Sequence, residues 1–310
     1  MLRSRYLPLA VVLPLGAALL ATACSVAAGG FSDPGGKIVA VGAENEYADV
    51  IGQVGGKYVQ VSAIMSNPNT DPHTFEASAS VARLISSAQL VVQNGVGYDT
   101  FMNTIENAAP SSSRKVITVQ NLLGLPASTP NPHLWYSPAT MPPVANAVAA
   151  DLAALQPAHA SFFKAKAAAF ISSLSGWKNA MATLAAKYPG TPVATTEPVA
   201  DYMLQAVGAD NLTPWALQAD IMNGTDPSAQ DVATQRSLFT QHKVKVFLYN
   251  QQVTDSLTES FISLAQANGI PVVGVYETMP VPGYDYQSWM LTEVQDLQKA
   301  VVGKVSSEHL

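Results

Sequence analysis

Four side chains of types that bind metal ions stand just past the ends of short apolar runs in the sequence. They are His73, His133, Glu197 and Glu277. Together they offer two imidazoles and two carboxylates, a donor set that suits divalent transition metals. Catalytic zinc sites usually keep three protein ligands and an open water position, whereas four protein ligands would close this site. The residues therefore predict capture of one metal ion without catalysis.

The runs that precede these four residues have the length of buried β-strands. They are Val59–Ile64, Lys115–Val119, Thr191–Thr196 and Pro271–Tyr276. In open α/β sheets, ligands bind in the crevice outside the carboxyl ends of the strands. A single loop histidine is usually solvated, and a glutamate at a strand end often caps the next helix. The prediction therefore depends on the shared placement of all four residues at strand ends.

Apolar runs alternate with amphipathic stretches along most of the chain, which predicts mostly parallel sheets with crossover helices. The other predicted strands are Lys37–Gly42, Gln89–Gln93 and Lys245–Tyr249. The predicted helices are Tyr47–Val54, Ser78–Ser87, Tyr98–Asn107, Val199–Val207, Leu257–Asn268 and Tyr286–Val302. The segment Asn94-Gly95-Val96-Gly97 lacks the lysine and hydroxyl of a phosphate loop and is predicted to be a tight turn.

Residues 139–188 interrupt this alternation. A helix is predicted over Thr140–Leu155, and a second over Ala158–Lys187, which contains no proline and one glycine, Gly176. A helix of about 30 residues would be about 45 Å long, which is longer than one crossover requires. The pattern therefore predicts an α/β protein of two Rossmann-like lobes joined by one long rigid helix, with the metal site in the cleft between the lobes.

The N-terminus has the features of an export signal. Arg3 and Arg5 precede an apolar run over residues 7–20, and the small residues 21–23 lead to Cys24, the only cysteine. A lone cysteine at this position indicates lipid attachment, although Ala21 stands where such signals usually carry Leu, Val or Ile. Plain secretion is the alternative. Either reading places the mature protein outside the cytoplasm without an internal disulfide.

These features predict the domain organisation of the chain. The predicted units are a signal peptide (1–23), the lipidated Cys24 with a flexible tether (24–36), an N-terminal α/β lobe (37–139), connecting helices (140–188) and a C-terminal α/β lobe (189–310).

Charge and motif content exclude several classes of function. Loss of Arg3 and Arg5 with the signal peptide leaves 14 basic and 22 acidic residues, a net charge of −8. Since basic patches are absent, nucleic acid is not an expected partner. The H-E-x-x-H and G-x-S-x-G signatures of common hydrolases are absent as well. The remaining histidines, His159, His242 and His309, are predicted to be structural or solvated.

From about Lys37 to Val302 the chain resembles the zinc/manganese-type solute-binding proteins of bacterial ABC importers. The most specific segment is Asp71-Pro72-His73-Thr74-Phe75-Glu76. Three further segments are similar to motifs of the family: Asn45-Glu46-Tyr47-Ala48-Asp49-Val50-Ile51, Ala88-Gln89-Leu90-Val91-Val92-Gln93-Asn94-Gly95 and His133-Leu134-Trp135-Tyr136-Ser137-Pro138. Glu197 and Glu277 stand where the family has its third and fourth ligands.

The resemblance implies a lipid-anchored monomer that delivers a metal ion to an ABC permease and its ATPase. It favours Mn²⁺ over Zn²⁺, with Fe²⁺ third, because the chain lacks the histidine third ligand and His-rich loop of many zinc-importing members. Glu277 also differs from the more usual aspartate. Asp71, Glu76, Asn94 and Trp135 are expected to orient the ligands.

Two other functions remain open at the level of the sequence. One is an extracytoplasmic metallohydrolase that uses the same residues. The other is a surface adhesion lipoprotein whose metal ion is incidental.

Overall fold

The computed structural model describes residues 36–69 and 72–310. The predicted signal peptide, Cys24 and nearly all of the predicted tether lie outside the described residues, as does Asp71. In the part of the chain that is described, no helix is both long and apolar enough to cross a membrane.

The strands of the described residues form two sheets of four parallel strands each. The strands are β1 (Ile38–Glu44), β2 (Val59–Met65), β3 (Leu90–Gln93), β4 (Lys115–Thr118), β5 (Pro192–Thr195), β6 (Asp210–Asn211), β7 (Val246–Asn250) and β8 (Val272–Val275). The strand orders are β2-β1-β3-β4 and β6-β5-β7-β8, so the two lobes repeat one topology. Each order reverses once, at β1/β3 and at β5/β7, and such switch points open a crevice at the carboxyl ends of the strands.

Helices cover the faces of the sheets and connect the lobes. They are α1 (Asn45–Gly55), α2 (Ala79–Ser87), α3 (Thr100–Ala108), α4 (Val119–Leu122), α5 (Met141–Leu155), α6 (Ala160–Ser173), α7 (Ser175–Lys187), α8 (Asp201–Ala206), α9 (Trp215–Met222), α10 (Ala229–Thr240), α11 (Ser256–Ala267) and α12 (Tyr286–Gly303). Asp255 and Asp285 cap α11 and α12 in reciprocal capping boxes. These observations confirm the predicted two-lobed α/β fold, and most predicted elements begin and end within two residues of the observed ones.

The long connecting helix occupies the predicted residues, but it is interrupted once, at Leu174. The hydroxyl of Ser173 donates to the carbonyl of Phe170 at 2.7 Å. In a continuous helix that carbonyl would accept from the backbone N–H of Leu174. Here the N–H of Leu174 donates to the carbonyl of Ser172 instead. We infer that the hydroxyl of Ser173 competes with the helix for the carbonyl of Phe170, as side-chain hydroxyls can. The prediction of one continuous helix is therefore corrected to two consecutive helices, α6 and α7.

Three elements between residues 208 and 244 were not anticipated from the sequence: β6, α9 and α10. The strand β6 has only two residues, which is too short for an alternating pattern. The helix α10 mixes polar and apolar residues with little separation into faces, and only Gln235, Leu238 and Phe239 are buried. Periodicity is therefore weak where these elements form.

One apolar core extends through both lobes. Tyr47 from α1, Trp177 from α7 and Trp289 from α12 belong to the same buried cluster. Asn45, directly after β1, also donates to the carbonyl of Met279 at 2.8 Å and accepts from its N–H at 3.0 Å. Because these contacts join the segments after β1 and β8, they bring the carboxyl ends of the two sheets together.

Candidate metal centre

The four candidate ligands follow strands of both sheets. His73 lies in a short 3-10 turn, Pro72–Thr74, after β2, and His133 directly precedes a second such turn, Leu134–Tyr136. Glu197 follows β5, and Glu277 follows β8. Each lobe therefore contributes one pair, as the strand-end argument predicted.

The structure brings three of the four residues into one cluster. The Nε2 atoms of His73 and His133 each lie 3.1 Å from Oε2 of Glu277. One ligand atom from each residue lies within 4.8 Å of the other two. Two atoms 3.1 Å apart subtend about 95° at an ion about 2.1 Å from each, so a single transition-metal ion fits between them.

Glu197 is adjacent to this cluster but is not part of it. Glu197 is 2 % exposed, and its Oε2 accepts from Nδ2 of Asn250 at 2.8 Å. The same Nδ2 donates to Oε1 of Glu277 at 2.5 Å. One amide group thus lies between the two carboxylates.

The ring of His133 is oriented by Asn131. Oδ1 of Asn131 accepts from the backbone N–H of His133 at 3.0 Å and lies 2.8 Å from its Nδ1. Nδ2 of Asn131 donates to the carbonyl of Pro198 at 2.8 Å, which defines the orientation of the amide. Nδ1 therefore carries the hydrogen, and Nε2 presents its lone pair to Glu277 when the ring is neutral. A lone pair and a carboxylate oxygen that face each other at 3.1 Å favour a cation between them.

Aromatic side chains surround the imidazoles. Tyr98 donates its hydroxyl to Oε2 of Glu277 at 2.8 Å. Its ring packs edge-on against His73 and His133, with centroids 5.4 and 5.9 Å away. Trp135 packs edge-on against His133 at 5.4 Å. These rings restrict the imidazole rotamers and keep His133 and Glu277 out of water.

The charges in the cluster favour a neutral His133 beside an ionised Glu277. Burial lowers the pKa of His133, and His73 lowers it further, although the hydrogen bond with Glu277 opposes this. Burial alone would raise the pKa of Glu277, but the positive charge of a protonated His73 and the hydrogen bonds with both imidazoles outweigh it and hold that pKa well below its ordinary range. Burial also raises the pKa of the nearby Glu46, and the charge of Glu277 adds to that rise. An ionised carboxylate beside neutral imidazoles is the protonation state that binds a metal ion.

The residues expected to orient the ligands have different environments. Asn94 is buried, accepts from the hydroxyl of Tyr47 at 2.7 Å and donates to the carbonyl of Pro132 at 2.8 Å. It therefore positions the residue that precedes His133. The tight turn predicted after β3 is present, with Gly95 at a φ of 80°. Trp135 contacts His133 as described above, whereas Glu76 is exposed.

Four residues that contact the cluster were missed in the sequence. They are Tyr98, Asn131, Asn250 and Gln252. Asn250 directly follows the predicted strand Lys245–Tyr249, so the strand-end rule would have found it had amides been considered. Gln252 accepts from the backbone N–H groups of Glu277 and Thr278, both at 2.8 Å. Asn131 and Tyr98 lie in loops and have no comparable sequence signal.

Comparisons with known proteins agree with this architecture. Residues 41–300 match the family described as zinc-uptake complex component A, periplasmic (ZnuA). The manganese-binding lipoprotein MntA of Bacillus subtilis (strain 168) is 27% identical over 131 residues, which cover 40% of this chain and 42% of MntA. The metal ABC transporter substrate-binding lipoprotein FimA of Streptococcus parasanguinis is 25% identical over 179 residues, which cover 54% of this chain and 58% of FimA.

A solved structure has the same fold. The periplasmic zinc-binding protein TroA of Treponema pallidum superposes with a TM-score of 0.71 at 20% identity, covering 87% of this chain and 100% of TroA. Two α/β lobes with parallel sheets, and a cluster of potential metal-binding side chains between them, place the chain in the class of two-lobed binding proteins. The chain belongs to the zinc/manganese-type solute-binding proteins of bacterial ABC importers.

Proposed function

We propose that the protein captures a divalent transition-metal ion outside the cytoplasm and delivers it to an ABC permease and its ATPase. His73, His133 and Glu277 would bind the ion, with Glu197 as the fourth, adjacent carboxylate. The observation that carries this proposal is the convergence of two imidazole nitrogens on one carboxylate oxygen, each at 3.1 Å. Binding requires neutral imidazoles and an ionised carboxylate, which supply lone pairs without a positive charge that would repel the ion.

Manganese and zinc are the two ions that the donor set supports. Imidazole suits zinc and iron, whereas carboxylates suit manganese. The named relatives include both a manganese-binding and a zinc-binding protein. Zinc exceeds manganese in intrinsic affinity at most sites, so the ion imported by the cell follows from availability as well as from affinity.

Metal content and metal-dependent thermal shift test the site. Addition of Mn²⁺ or Zn²⁺ is expected to raise the Tm of the purified protein, since a ligand of the native state stabilises it. The double variant His73→Ala/His133→Ala should lose this shift, whereas the control His242→Asn, at an exposed histidine, should keep it. Equal shifts in all three proteins would refute the site.

Transport is tested in cells. A deletion strain should accumulate less of the imported metal, and wild type but not the double histidine variant should restore uptake. Hydrolysis of ester, phosphoester or peptide substrates that depends on Glu277 would instead support a metallohydrolase. The family is one of substrate-binding proteins, which supports transport.

We also propose that lipid on Cys24 anchors the protein to the cell membrane. Two relatives, MntA and FimA, are named lipoproteins, and Cys24 follows the small residues of the export signal. In the variant Cys24→Ser the protein should move from the membrane fraction to the soluble fraction. Mass spectrometry of the mature N-terminus should show the lipid in the wild type only.

A further inference from the structure

Glu44 and Asp99 form a buried pair of carboxyl groups in the first lobe. Glu44 ends β1, and Asp99 lies in the loop after β3, the neighbouring strand of the sheet. Glu44 is 2 % exposed and Asp99 is 1 % exposed. The two side chains share a hydrogen bond. Two ionised carboxylates have no hydrogen to donate, so one of the two groups must carry a proton.

The other contacts of the pair indicate which group carries it. Both oxygens of Asp99 accept from backbone N–H groups, Oδ2 from Asn94 at 2.6 Å and Oδ1 from Gly95 at 2.9 Å. Among the described residues, no N–H or O–H group donates to either oxygen of Glu44. Donors stabilise the ionised form of a carboxyl group, whereas burial without donors stabilises the neutral form. Glu44 is therefore the acid, and its O–H donates to the carboxylate of Asp99.

The charges around the pair agree with this assignment. Burial raises the pKa of Glu44 well above its ordinary value, and the charges of Asp99 and Glu46 add to the rise. Burial raises the pKa of Asp99 as well, but the backbone N–H groups that donate to it oppose that rise. Glu44 also interacts electrostatically with Tyr47 and Tyr98. None of these neighbours is a cation that would stabilise an ionised Glu44.

The loop that Asp99 holds carries two side chains of the metal centre. Asn94, at one end of the loop, donates to the carbonyl of the residue before His133 at 2.8 Å. Tyr98, at the other end, donates to Oε2 of Glu277 and packs edge-on against both imidazoles. Because Asp99 accepts from the N–H groups that begin this loop and directly follows Tyr98, it fixes both side chains relative to the candidate ligands.

We propose that Glu44 is a positioning residue of the metal centre, whose proton bonds to Asp99 and thereby fixes the loop that carries Asn94 and Tyr98. This proposal rests on the proposed function, since its effect is on metal affinity. Without the proton of Glu44, Asp99 would keep a buried negative charge with one donor fewer, and the loop would be held less firmly. Loss of a group that orients metal ligands reduces metal affinity by at least about 10-fold.

The affinities of the purified protein for Mn²⁺ and Zn²⁺, measured by competition with a chromophoric chelator, test this role. Glu44→Gln keeps an N–H donor for Asp99 and should bind each ion as tightly as wild type. Glu44→Met has a side chain of similar length without a donor, and it should bind both ions about 10-fold more weakly. The control Gln89→Met removes a hydrogen bond to Val39 at the opposite end of β1 and should leave both affinities unchanged.

Infrared absorption tests the proton itself. At pH 7 the spectrum of wild type minus that of Glu44→Gln should contain the carbonyl band of a protonated carboxyl group. A carboxylate band in its place would overturn the proposal even if Glu44→Met does not fold. Weak binding or loss of folding in Glu44→Gln, or wild-type affinity in Glu44→Met, would overturn the positioning role alone. A wild type that binds neither ion would overturn the proposed function, and the infrared difference would still decide whether Glu44 carries the proton.

Discussion

We expect the stability of the folded protein to depend measurably on pH because of Glu293. It lies on α12 in the core, is fully buried, and accepts from Nε1 of Trp289 at 3.0 Å and from the hydroxyl of Tyr136 at 3.2 Å. Burial raises its pKa from 4.5 to about 8, and Asp296 adds to the rise, whereas the hydrogen bonds from Trp289 and Tyr136 oppose it. The folded protein therefore binds this proton more tightly than the unfolded chain does.

The sign and size of the effect follow from linkage between protonation and folding. The stability that the proton contributes is fully present below pH 4.5 and is lost as the pH rises to about 8. At about 1.4 kcal/mol for each unit of pKa, the whole change is about 5 kcal/mol. About half of it falls between pH 5 and pH 7.

The perturbation is Glu293→Gln, because a glutamine side chain is close in shape to glutamate and stays neutral at every pH. The free energy of unfolding of the variant relative to wild type should increase by about 2 kcal/mol from pH 5 to pH 7. In Tm this corresponds to a change on the order of 5 °C. Denaturant titration at half-unit steps of pH, with chelator present, measures it.

A matched control separates this effect from a general loss of charge. Glu259 is an exposed carboxylate on α11, and Glu259→Gln removes the same charge by the same substitution outside the core, so its profile serves as the reference for Glu293→Gln. The candidate metal ligands are unchanged in both variants, so their titration cancels in the comparison. A difference between Glu293→Gln and wild type that stays constant from pH 5 to pH 8 would refute the reasoning.

Three further predictions concern the site and the connecting helices. Because protons compete with the ion for His73 and His133, the affinity for Mn²⁺ should be constant above the pKa of the imidazoles and should fall below that pKa. Calorimetry from pH 5 to pH 8 measures the affinity, and an affinity independent of pH would contradict the ligand assignment. Asn131→Ala removes the acceptor that orients His133 and should weaken metal binding by about 10- to 100-fold, measured by competition with a chromophoric chelator. Asn131→Asp keeps an acceptor oxygen and should recover part of the lost affinity. Ser173→Ala frees the carbonyl of Phe170 for the backbone N–H of Leu174, so it should stabilise the protein by about 0.5 kcal/mol and slow hydrogen exchange at Leu174. If exchange at Leu174 is the same as in the exposed control Ser172→Ala, the cause given for the interruption is wrong.

The elements with strong periodic patterns were predictable from the sequence. The fully buried runs that became β3 and β7 are continuous stretches of apolar residues, as strands covered on both faces must be. The last helix was predicted over Tyr286–Val302 and is observed over Tyr286–Gly303, and the structure shows that Asp285 caps its first turn. The interruption at Leu174 was not predictable, because whether Ser173 bonds to its own helix depends on the local geometry.

The clustering of three candidate ligands follows the strand-end placement predicted from the sequence, and their role as ligands stays a prediction. His73, His133 and Glu277 converge because the parallel strands of each sheet end at one edge, and contacts such as those of Asn45 with Met279 bring the two edges together. The sequence also determined, through the motifs around His73 and His133, the family to which the chain belongs. The position of Glu197 relative to the other three depends on which strand lies between β5 and β8.

Only the tertiary structure decided that this strand is β7 and that its last residue, Asn250, holds both carboxylates. The same holds for Asn131, which is separated by 67 residues from its partner Pro198, and for Tyr98, separated by 179 residues from Glu277. A ligand can be recognised by its type and its local pattern. The groups that orient it depend on distances between segments far apart in the chain, which are set by sheet order and core packing.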